Sequence, residues 1–313
     1  MKPAAVRGFA VASVLEPSRS RASCHEQTRA AAGAMQFWLR LLLPLLLGAL
    51  LSGPARAVIG GSGPVADLPG HPFSGVVAVL SGNGTYSGAL VGSRWVLTAA
   101  HVVAGRQPSA VRIRFNLPGG AVIVPADAIR VYPGFHGAKP GPDGVWYGDL
   151  ALVRLSSPAP AAAQRYRFYR GSALHATVTF VGYGAWGDGN VGQQGGSNAA
   201  TARMGRNRID VVLPAGANGK VYVYDFDGPD GLGNRFGNAA DPANQAILGE
   251  GVFGGGDSGA PVFVERKRGW RLLGIAVFVA PPQAGVPLRF GSIGGGTIVA
   301  AYLPWIEGVL SGR

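Results

Sequence analysis

Short runs of β-branched and aromatic residues, each bounded by Gly, Pro, Asn or Asp, recur along most of this chain. The clearest runs are 75–80, 93–103, 110–115, 151–155, 176–184, 221–226 and 270–280. Val, Ile, Phe and Tyr favour strands, and turn residues end them. A helical periodicity of apolar residues appears only at 299–310, which predicts a short C-terminal helix. The pattern as a whole predicts an all-β barrel or sandwich.

A stretch rich in Pro and Ala, SSPAPAAAQRY at 156–166, separates the strand-like runs into two comparable groups. Proline and small residues between patterned segments indicate a connection more than a strand. We therefore predict two β domains, over 58–160 and 161–313, a length sufficient for two small domains.

The first 57 residues have the organisation of a leader that ends in a secretory signal. Arg40 precedes LLLPLLLGALL at 41–51, an uncharged run that is too short to cross about 30 Å of hydrocarbon as a helix. The tripeptide ARA at 55–57 supplies the small residues that signal peptidase requires. We predict that this leader is removed, with Met35 as an alternative start of translation, and that the protein is secreted or periplasmic. An uncleaved membrane anchor is the alternative.

Cysteine and charge limit the classes of protein to which the mature chain can belong. The single cysteine, Cys24, lies in the predicted leader, so 58–313 forms no disulfide and depends on its core. The full chain has a formal net charge of +12, and 58–313 holds 21 Lys and Arg against 14 Asp and Glu. The basic residues are scattered, apart from a run at 266–268 that is typical of a solvated hairpin tip. We expect a monomer with no nucleic-acid partner and no stable membrane anchor.

Three short motifs place a histidine, an aspartate and a serine in chain order. They are LTAAHV with His101, GDLALVRL with Asp149 and GGGDSGAP with Ser258. A serine hydroxyl becomes nucleophilic when a neutral imidazole takes its proton, and a carboxylate holds that imidazole in one tautomer. Glycines beside the serine let backbone N–H groups turn towards a developing oxyanion. The three residues are candidate catalytic residues; the alternatives are a strand cap for Asp149 and an ordinary turn for Ser258.

These motifs and the words around them resemble the trypsin/chymotrypsin-like serine peptidases, in particular their disulfide-free bacterial members. The separations are 48 residues from His101 to Asp149 and 109 residues from Asp149 to Ser258. The resemblance covers most of 58–313, including SGALVGSRWVLTAAHV, TFVGYG, LLGIAVF and YLPWI. It implies two packed six-stranded β-barrels, with the three residues in the cleft between them.

The resemblance implies a secreted serine endopeptidase that hydrolyses peptide bonds through an acyl-enzyme. Ser258 would attack the carbonyl, His101 would transfer the proton and Asp149 would orient His101. The N–H groups of Gly256 and Ser258 would form the oxyanion hole. A polypeptide substrate is implied and no cofactor is required. The alternative is a catalytically silent secreted binding protein on the same fold.

The stretch VIGG at 58–61 directly follows the predicted cleavage site. In the family that the chain resembles, two branched apolar residues and two glycines begin the mature chain, and the new α-amine pairs with the aspartate before the nucleophile. The resemblance therefore implies a pair between the amine of Val58 and Asp257, which would hold the turn around Ser258 in its active shape. The alternative is that VIGG is merely the first strand.

The resemblance also assigns two residues to the specificity pocket. Val252 takes the position at the base of the pocket, where an acid would select Arg or Lys. Val279 takes a position on the wall where relatives often carry glycine. Valine at both positions implies a narrowed, uncharged pocket and cleavage after small or medium apolar residues.

Three aspartates, Asp225, Asp227 and Asp230, crowd into the Gly-rich stretch DFDGPDGLGN at 225–234. Oxygen ligands at such spacing could bind calcium, but the glutamate that ends an EF-hand loop is missing. Asp-Gly pairs are also turn formers. We expect a solvated turn and no metal, with calcium as the alternative.

Overall fold

Strands make up most of the regular structure. The computed structural model describes residues 58–61, 65, 72–137, 145–214, 219–236 and 246–313. The predicted leader, with its signal sequence and its alternative start, lies outside the described residues. Within them, the strands are β1 (Val76–Ser81), β2 (Gly84–Gly92), β3 (Trp95–Thr98), β4 (Val111–Leu117), β5 (Gly120–Val131), β6 (Ala151–Leu155), β7 (Arg167–Phe168), β8 (Thr177–Gly182), β9 (Trp186–Asp188), β10 (Gly192–Gly195), β11 (Arg203–Arg208), β12 (Val211–Leu213), β13 (Val221–Asp225), β14 (Pro261–Arg266), β15 (Gly269–Ala280) and β16 (Ile293–Ile298). The same part of the chain holds helices α1 (Ala100–Val103) and α2 (Leu303–Leu310).

The first six strands close into an antiparallel barrel in the order β1-β2-β3-β6-β5-β4. Closure comes from β1, which pairs with β2 along one edge and with β4 along the other. Alternation decides which side chains face the interior: on β4, Val111, Ile113 and Phe115 are buried and Arg112 is exposed. The period of two in the sequence therefore builds the apolar interior of the first barrel.

The second group of strands forms one sheet in the order β11-β8-β14-β15-β16-β13-β12. β7 pairs in parallel with β15, and β9 and β10 form a separate hairpin. The two end strands, β11 and β12, are consecutive in the chain and only Ile209 and Asp210 separate them. Counted as one bent strand, they join the two edges, so that six strands surround a common core. The prediction of an all-β fold with two β-barrels and a short C-terminal helix is confirmed.

Glycines on β16 and tyrosines on β13 share the interior of the second barrel. Tyr222 and Tyr224 are fully buried, pair with Gly296 and Gly294, and stack with ring centroids 6.3 Å apart. A Cβ atom on Gly294 would lie 2.5 Å from the phenol oxygen of Tyr224. The missing side chains of β16 therefore leave the space that the rings of β13 fill.

One apolar cluster joins the two barrels and also receives α2. The ring of Phe263 on β14 lies 5.6 Å from that of Phe73 and 4.6 Å from that of Tyr166, between centroids. Leu303 and Ile306 of α2 are buried in the same cluster. This packing holds the strands near the candidate histidine and aspartate against those near the serine. No helix in the described ranges is both long and apolar enough to cross a membrane.

Candidate active site

His101, Asp149 and Ser258 form one hydrogen-bonded chain. Nδ1 of His101 lies 2.7 Å from Oδ2 of Asp149, and Nε2 of His101 lies 2.8 Å from Oγ of Ser258. The side chain of Asp149 is 2% exposed, whereas that of His101 is 25% exposed and faces the solvent side of the site. The structure thus brings the three predicted residues together in the order that activation of a serine hydroxyl requires.

A single helical turn aims His101 at the aspartate. The predicted strand at 93–103 is too long, because β3 ends at Thr98 and α1 takes over at Ala100–Val103. In this turn the N–H of His101 donates to Oδ1 of Asp149 at 3.0 Å, while the ring bonds to the other carboxylate oxygen. One buried carboxylate therefore holds both the backbone and the ring of His101.

Ser258, the predicted nucleophile, lies in a turn over 254–259 that requires glycine and that we call the nucleophile turn. Gly256 has a φ of +97° and Gly259 a φ of +79°, which is left-handed backbone that side chains disfavour. A Cβ atom on Gly259 would also lie 2.2 Å from Oγ1 of Thr98. The turn can therefore pack closely against the first barrel, where the carbonyl of Ser258 accepts a hydrogen bond from the N–H of Ser87 at 3.0 Å.

Two backbone amides of this turn have no acceptor among the described residues and could donate to a ligand. Within the described residues, the N–H groups of Gly256 and Ser258 donate to no protein acceptor. The N–H of Asp257, between them, donates instead to the carbonyl of Gly254 at 3.0 Å. Unpaired N–H groups beside a nucleophile are what an oxyanion hole needs.

Ser87 is a residue of the site that sequence reasoning did not single out. It is fully buried on β2, where its hydroxyl donates to the carbonyl of Gly256 at 3.2 Å and accepts from the N–H of Tyr183 at 2.9 Å. A serine at an inward position of an apolar strand was the available signal, because buried hydroxyls need partners. The Ser87 hydroxyl links the first barrel to the nucleophile turn.

Asp257 is fully buried beside Ser258. Its Oδ1 accepts from the N–H of Gly184 at 2.8 Å, and its Oδ2 accepts from the N–H of Gly254 at 2.9 Å. Burial raises the pKa of Asp257 to about 6, although these hydrogen bonds and the charge of Arg203 lower it. Asp257 takes part in no ion pair within the described residues. A cation in direct contact would therefore relieve the cost of its burial.

The VIGG stretch is buried in the second barrel. The N–H of Ile59 donates to the carbonyl of Val252 at 3.3 Å, and the N–H of Val252 donates back at 2.9 Å. Val58 is 1% exposed and has a φ of +63°, which is strained for a β-branched residue. Ile59 makes isolated bridges and belongs to no extended strand. The pair of the Val58 amine with Asp257 stays a prediction.

The two predicted pocket residues differ in exposure. Val252 is fully buried in the core of the second barrel. Val279 on β15 is half-buried and follows Phe278, whose ring stacks on Trp146 with centroids 5.2 Å apart. Neither valine carries a charge, and their role in a specificity pocket stays a prediction.

Asp225 and Asp227 are buried, so the expectation of a solvated turn is wrong for these two side chains. The reason is that Asp225 ends β13 and Asp227 follows it closely, where their backbone N–H groups donate to two further carboxyl groups. The N–H of Asp225 donates to Oδ2 of Asp210 at 3.2 Å, and the N–H of Asp227 donates to Oε1 of Glu250 at 2.8 Å. We call these four residues the acid cluster. Burial first, and the carboxylate of Asp225 second, raise the pKa of Asp227 to about 7.

The acid cluster differs from the predicted set of calcium ligands. The prediction for the side chain of Asp230 lies outside the described part of the structure, and the acid cluster includes Asp210 and Glu250, which the prediction did not name. Within the described residues, no group of three or more Asp, Glu, His or Cys side chains is arranged to hold a metal ion. Calcium binding stays an untested alternative.

A family model described as Trypsin matches residues 61–221, just over half of the chain. The match includes His101 and Asp149 and ends before Ser258. Ser258 is assigned to the site from its hydrogen bond with His101.

Two curated relatives match shorter stretches. Complement C1s subcomponent of Sus scrofa is 31% identical over 116 residues, which cover 30% of this chain and 17% of that protein. Calcium-dependent serine proteinase of Mesocricetus auratus is 39% identical over 80 residues, which cover 23% of this chain and 11% of that protein. The chain thus spans less than a fifth of the length of either relative. From the family match and the geometry of the three residues, the chain belongs to the trypsin family of serine proteases.

Proposed function

We propose that the protein is a secreted serine endopeptidase that works through an acyl-enzyme. The observation that carries the proposal is the position of His101, 2.7 Å from the Asp149 carboxylate and 2.8 Å from the Ser258 hydroxyl. The oxygen of Ser258 attacks the carbonyl carbon while its proton passes to Nε2 of His101. That nitrogen gives the proton to the amine as the C–N bond breaks. It then takes a proton from the water that attacks the ester, and it passes this proton to Oγ of Ser258 as the bond to the acyl group breaks.

In this proposal, the N–H groups of Gly256 and Ser258 stabilise the oxyanion by donating hydrogen bonds to it. The support for this role is that neither donates to a protein acceptor within the described residues. Donors fixed in place before the reaction cost no reorganisation when the negative charge develops. No step of this proposed reaction requires a cofactor.

Labelling of the serine tests the proposal. The mature protein should react with a fluorophosphonate and hydrolyse peptides, and Ser258→Ala should lose labelling and about 10⁶-fold in turnover while its circular dichroism is unchanged. A folded wild-type protein that neither labels nor hydrolyses any member of a peptide library would favour the catalytically silent binding protein.

We propose cleavage after small or medium apolar residues. The support is that Val252 and Val279 offer no charge, so an Arg or Lys side chain would be buried without a partner at a cost of several kcal/mol. Substrates that differ only in the residue before the scissile bond should rank with Ala and Val ahead of Arg. Fastest cleavage after Arg would overturn the assignment of the pocket.

We propose that removal of the leader by signal peptidase produces the active N-terminus directly. The support is the burial of Val58, the pairing of Ile59 with Val252 and the lack of an ion pair for Asp257 within the described residues. The new amine would give Asp257 its cation and hold the nucleophile turn.

A further inference from the structure

Two arginine-rich segments, about a hundred residues apart in the chain, lie side by side on the second barrel. They are RYRFYR at 165–170 and ERKRGWR at 265–271. β7 pairs in parallel with β15, with Arg167 opposite Arg271. Arg266 ends β14 and pairs with Gly269, so Lys267 and Arg268 form the tip of the hairpin between β14 and β15, as the sequence predicts. We call the two segments together the basic patch.

The basic patch concentrates positive charge that the rest of the chain does not balance. Seven of the 21 basic residues of 58–313 lie in it, against one acid, Glu265. Arg170 pairs with Glu307 on α2. Four exposed members have no side-chain partner within the described residues: Arg165, Arg167, Lys267 and Arg268. A surface of one sign with open donors attracts and orients an oppositely charged partner.

A cleft of about 740 Å³ adjoins the basic patch and combines charged with apolar lining. Arg266 and Arg206, with the acid Glu265, lie on its wall together with Leu174, Met204 and Trp270. The guanidinium of Arg266 lies 4.9 Å from the ring centroid of Tyr169 and donates to its hydroxyl, which fixes the orientation of the fork. The cleft therefore offers places for both oxyanions and apolar side chains.

We propose that the basic patch and its cleft bind an acidic polypeptide segment that carries interspersed apolar side chains. Six of the seven cations are arginines, whose planar forks match carboxylates with two hydrogen bonds. Leu174, Met204 and Trp270 form an apolar lining that can pack against the apolar side chains of a peptide. A sulfated polysaccharide has no such side chains. The chemistry therefore favours a peptide over other polyanions.

The basic patch lies apart from the catalytic residues. β14 begins three residues after Ser258, and its five steps from Pro261 to Arg266 span about 17 Å. A peptide can thus occupy the basic patch while another part of the same polypeptide enters the active-site cleft. The inference deepens the proposed function, because it names acid-bearing polypeptides as the substrates that gain from this second contact through a raised local concentration.

Binding is measured first without catalysis. In the full mature chain with Ser258→Ala, fluorescence anisotropy follows a labelled Glu-rich peptide with interspersed Phe, its Gln-for-Glu counterpart, and a sulfated oligosaccharide of equal charge. A triple variant, R167Q/K267Q/R268Q, removes three exposed charges of the basic patch. The matched control, R106Q/R112Q/R130Q, removes three exposed charges from the first barrel.

We expect the acidic peptide to bind, and its Kd to rise about tenfold or more in the patch variant but to stay unchanged in the control. Added salt should weaken binding. Equal Kd values for the two variants would overturn the inference, as would tighter binding of the sulfated oligosaccharide than of the peptide.

Kinetics then separates this inference from the proposed function. Two fluorogenic substrates share one cleavage sequence, and one of them carries the acidic extension. The patch variant should lower kcat/KM for the extended substrate about tenfold and leave the short substrate unchanged. Loss of both activities in the wild type, with peptide binding intact, would refute the peptidase but not the binding surface; equal kcat/KM for both substrates in the wild type would refute the role in substrate selection.

Discussion

At the scale of single residues, the Ser87 hydroxyl connects two parts of the active site that the chain itself keeps far apart. It holds the carbonyl of Gly256 from the first barrel, and the N–H of Gly256 is one of the two proposed oxyanion donors. The carbonyl and the N–H of Gly256 are joined through one Cα atom, so a turn that loses its hydrogen bond at the carbonyl is also less firmly held at the N–H. We therefore propose that Ser87 is a positioning residue for the predicted oxyanion hole.

Ser87→Ala should lower kcat by about 10–100-fold and change KM little, because a displaced oxyanion donor weakens binding of the transition state more than of the substrate. The measurement is steady-state kinetics on one peptide, together with the fraction of enzyme labelled by a fluorophosphonate. Stability should fall by about 1–3 kcal/mol, since the N–H of Tyr183 loses its acceptor.

Ser74→Ala is the matched control. Ser74 is also buried, and its hydroxyl accepts from the N–H of Gln164 at 3.0 Å, away from the nucleophile turn. It should cost comparable stability without the fall in kcat. An equal fall in kcat for both variants would show that Ser87 acts only through stability.

At the scale of elements, the VIGG segment is fixed by backbone bonds to the turn region that precedes the nucleophile. Mature chains that begin at Ala57, Val58 or Ile59 should differ sharply in activity, because one residue moves the amine about 3.5 Å along the chain. The chain beginning at Val58 should be fully active. The other two should lose about 10²–10³ in turnover with the fold retained.

Active-site titration of the three chains is the measurement, and circular dichroism checks that each is folded. Asp257→Asn in the chain beginning at Val58 should reproduce the loss, since it removes the charge that the amine would meet. Equal titres from all three chains would contradict the proposed pair.

The acid cluster should make stability depend on pH. Burial raises the pKa of Asp227 to about 7 and those of Asp210 and Glu250 to about 8, above values of about 4 in the unfolded chain. The folded chain therefore binds more protons than the unfolded chain between these limits. The contribution of the acid cluster to the free energy of unfolding is fully present below about pH 4. It is lost as pH rises through about 8. Urea midpoints should fall across this range.

Asp227→Asn should flatten the slope of the urea midpoint against pH, because it removes one group that titrates. Glu265→Gln, at an exposed position of β14, is the control and should leave the slope unchanged. The same slope in both variants would contradict the assignment. A rise of the urea midpoint on adding calcium at pH 8, absent in Asp227→Asn, would favour the calcium alternative.

At the scale of the whole molecule, we expect the proposed activity to depend on how the two barrels pack, because Ser258 lies in the second barrel whereas His101 and Asp149 lie in the first. Phe263→Ala should destabilise the fold by about 3–5 kcal/mol. It should also loosen the cluster that joins the barrels, where Phe263 meets Phe73 and Tyr166. We expect peptidase activity to be lost at a lower urea concentration than far-UV circular dichroism.

Phe180→Ala is the control for this effect. Phe180 is equally buried but packs within the second barrel, against Tyr224 and Phe253. In Phe180→Ala, the loss of peptidase activity and the loss of far-UV circular dichroism should occur at the same urea concentration. Coincident transitions in Phe263→Ala as well would show that the barrels do not separate before they unfold.

The sequence predicted the triad and the fold class because their signals are local. Each triad residue lies in a short motif, and alternation marks strands wherever they occur. Ser87 and Glu250 were missed because their partners are remote, 169 positions away in the case of Ser87 and Gly256. Val102 and Val103 favour a strand but form a helical turn, since tertiary contacts of His101 override propensity. The bent segment that closes the second barrel carries no local signal.

Because the rings on β13 fill the space left by the glycines on β16, the effect of a substitution on one strand depends on the residue at the paired position of the other. Tyr224 fills the space that a side chain at Gly294 would need, so a larger residue at Gly294 would collide with the ring. A smaller residue at Tyr224 would leave a cavity. Variation at the two positions is therefore epistatic: each substitution is harmful alone, and the pair is tolerated only when volume moves from one strand to the other.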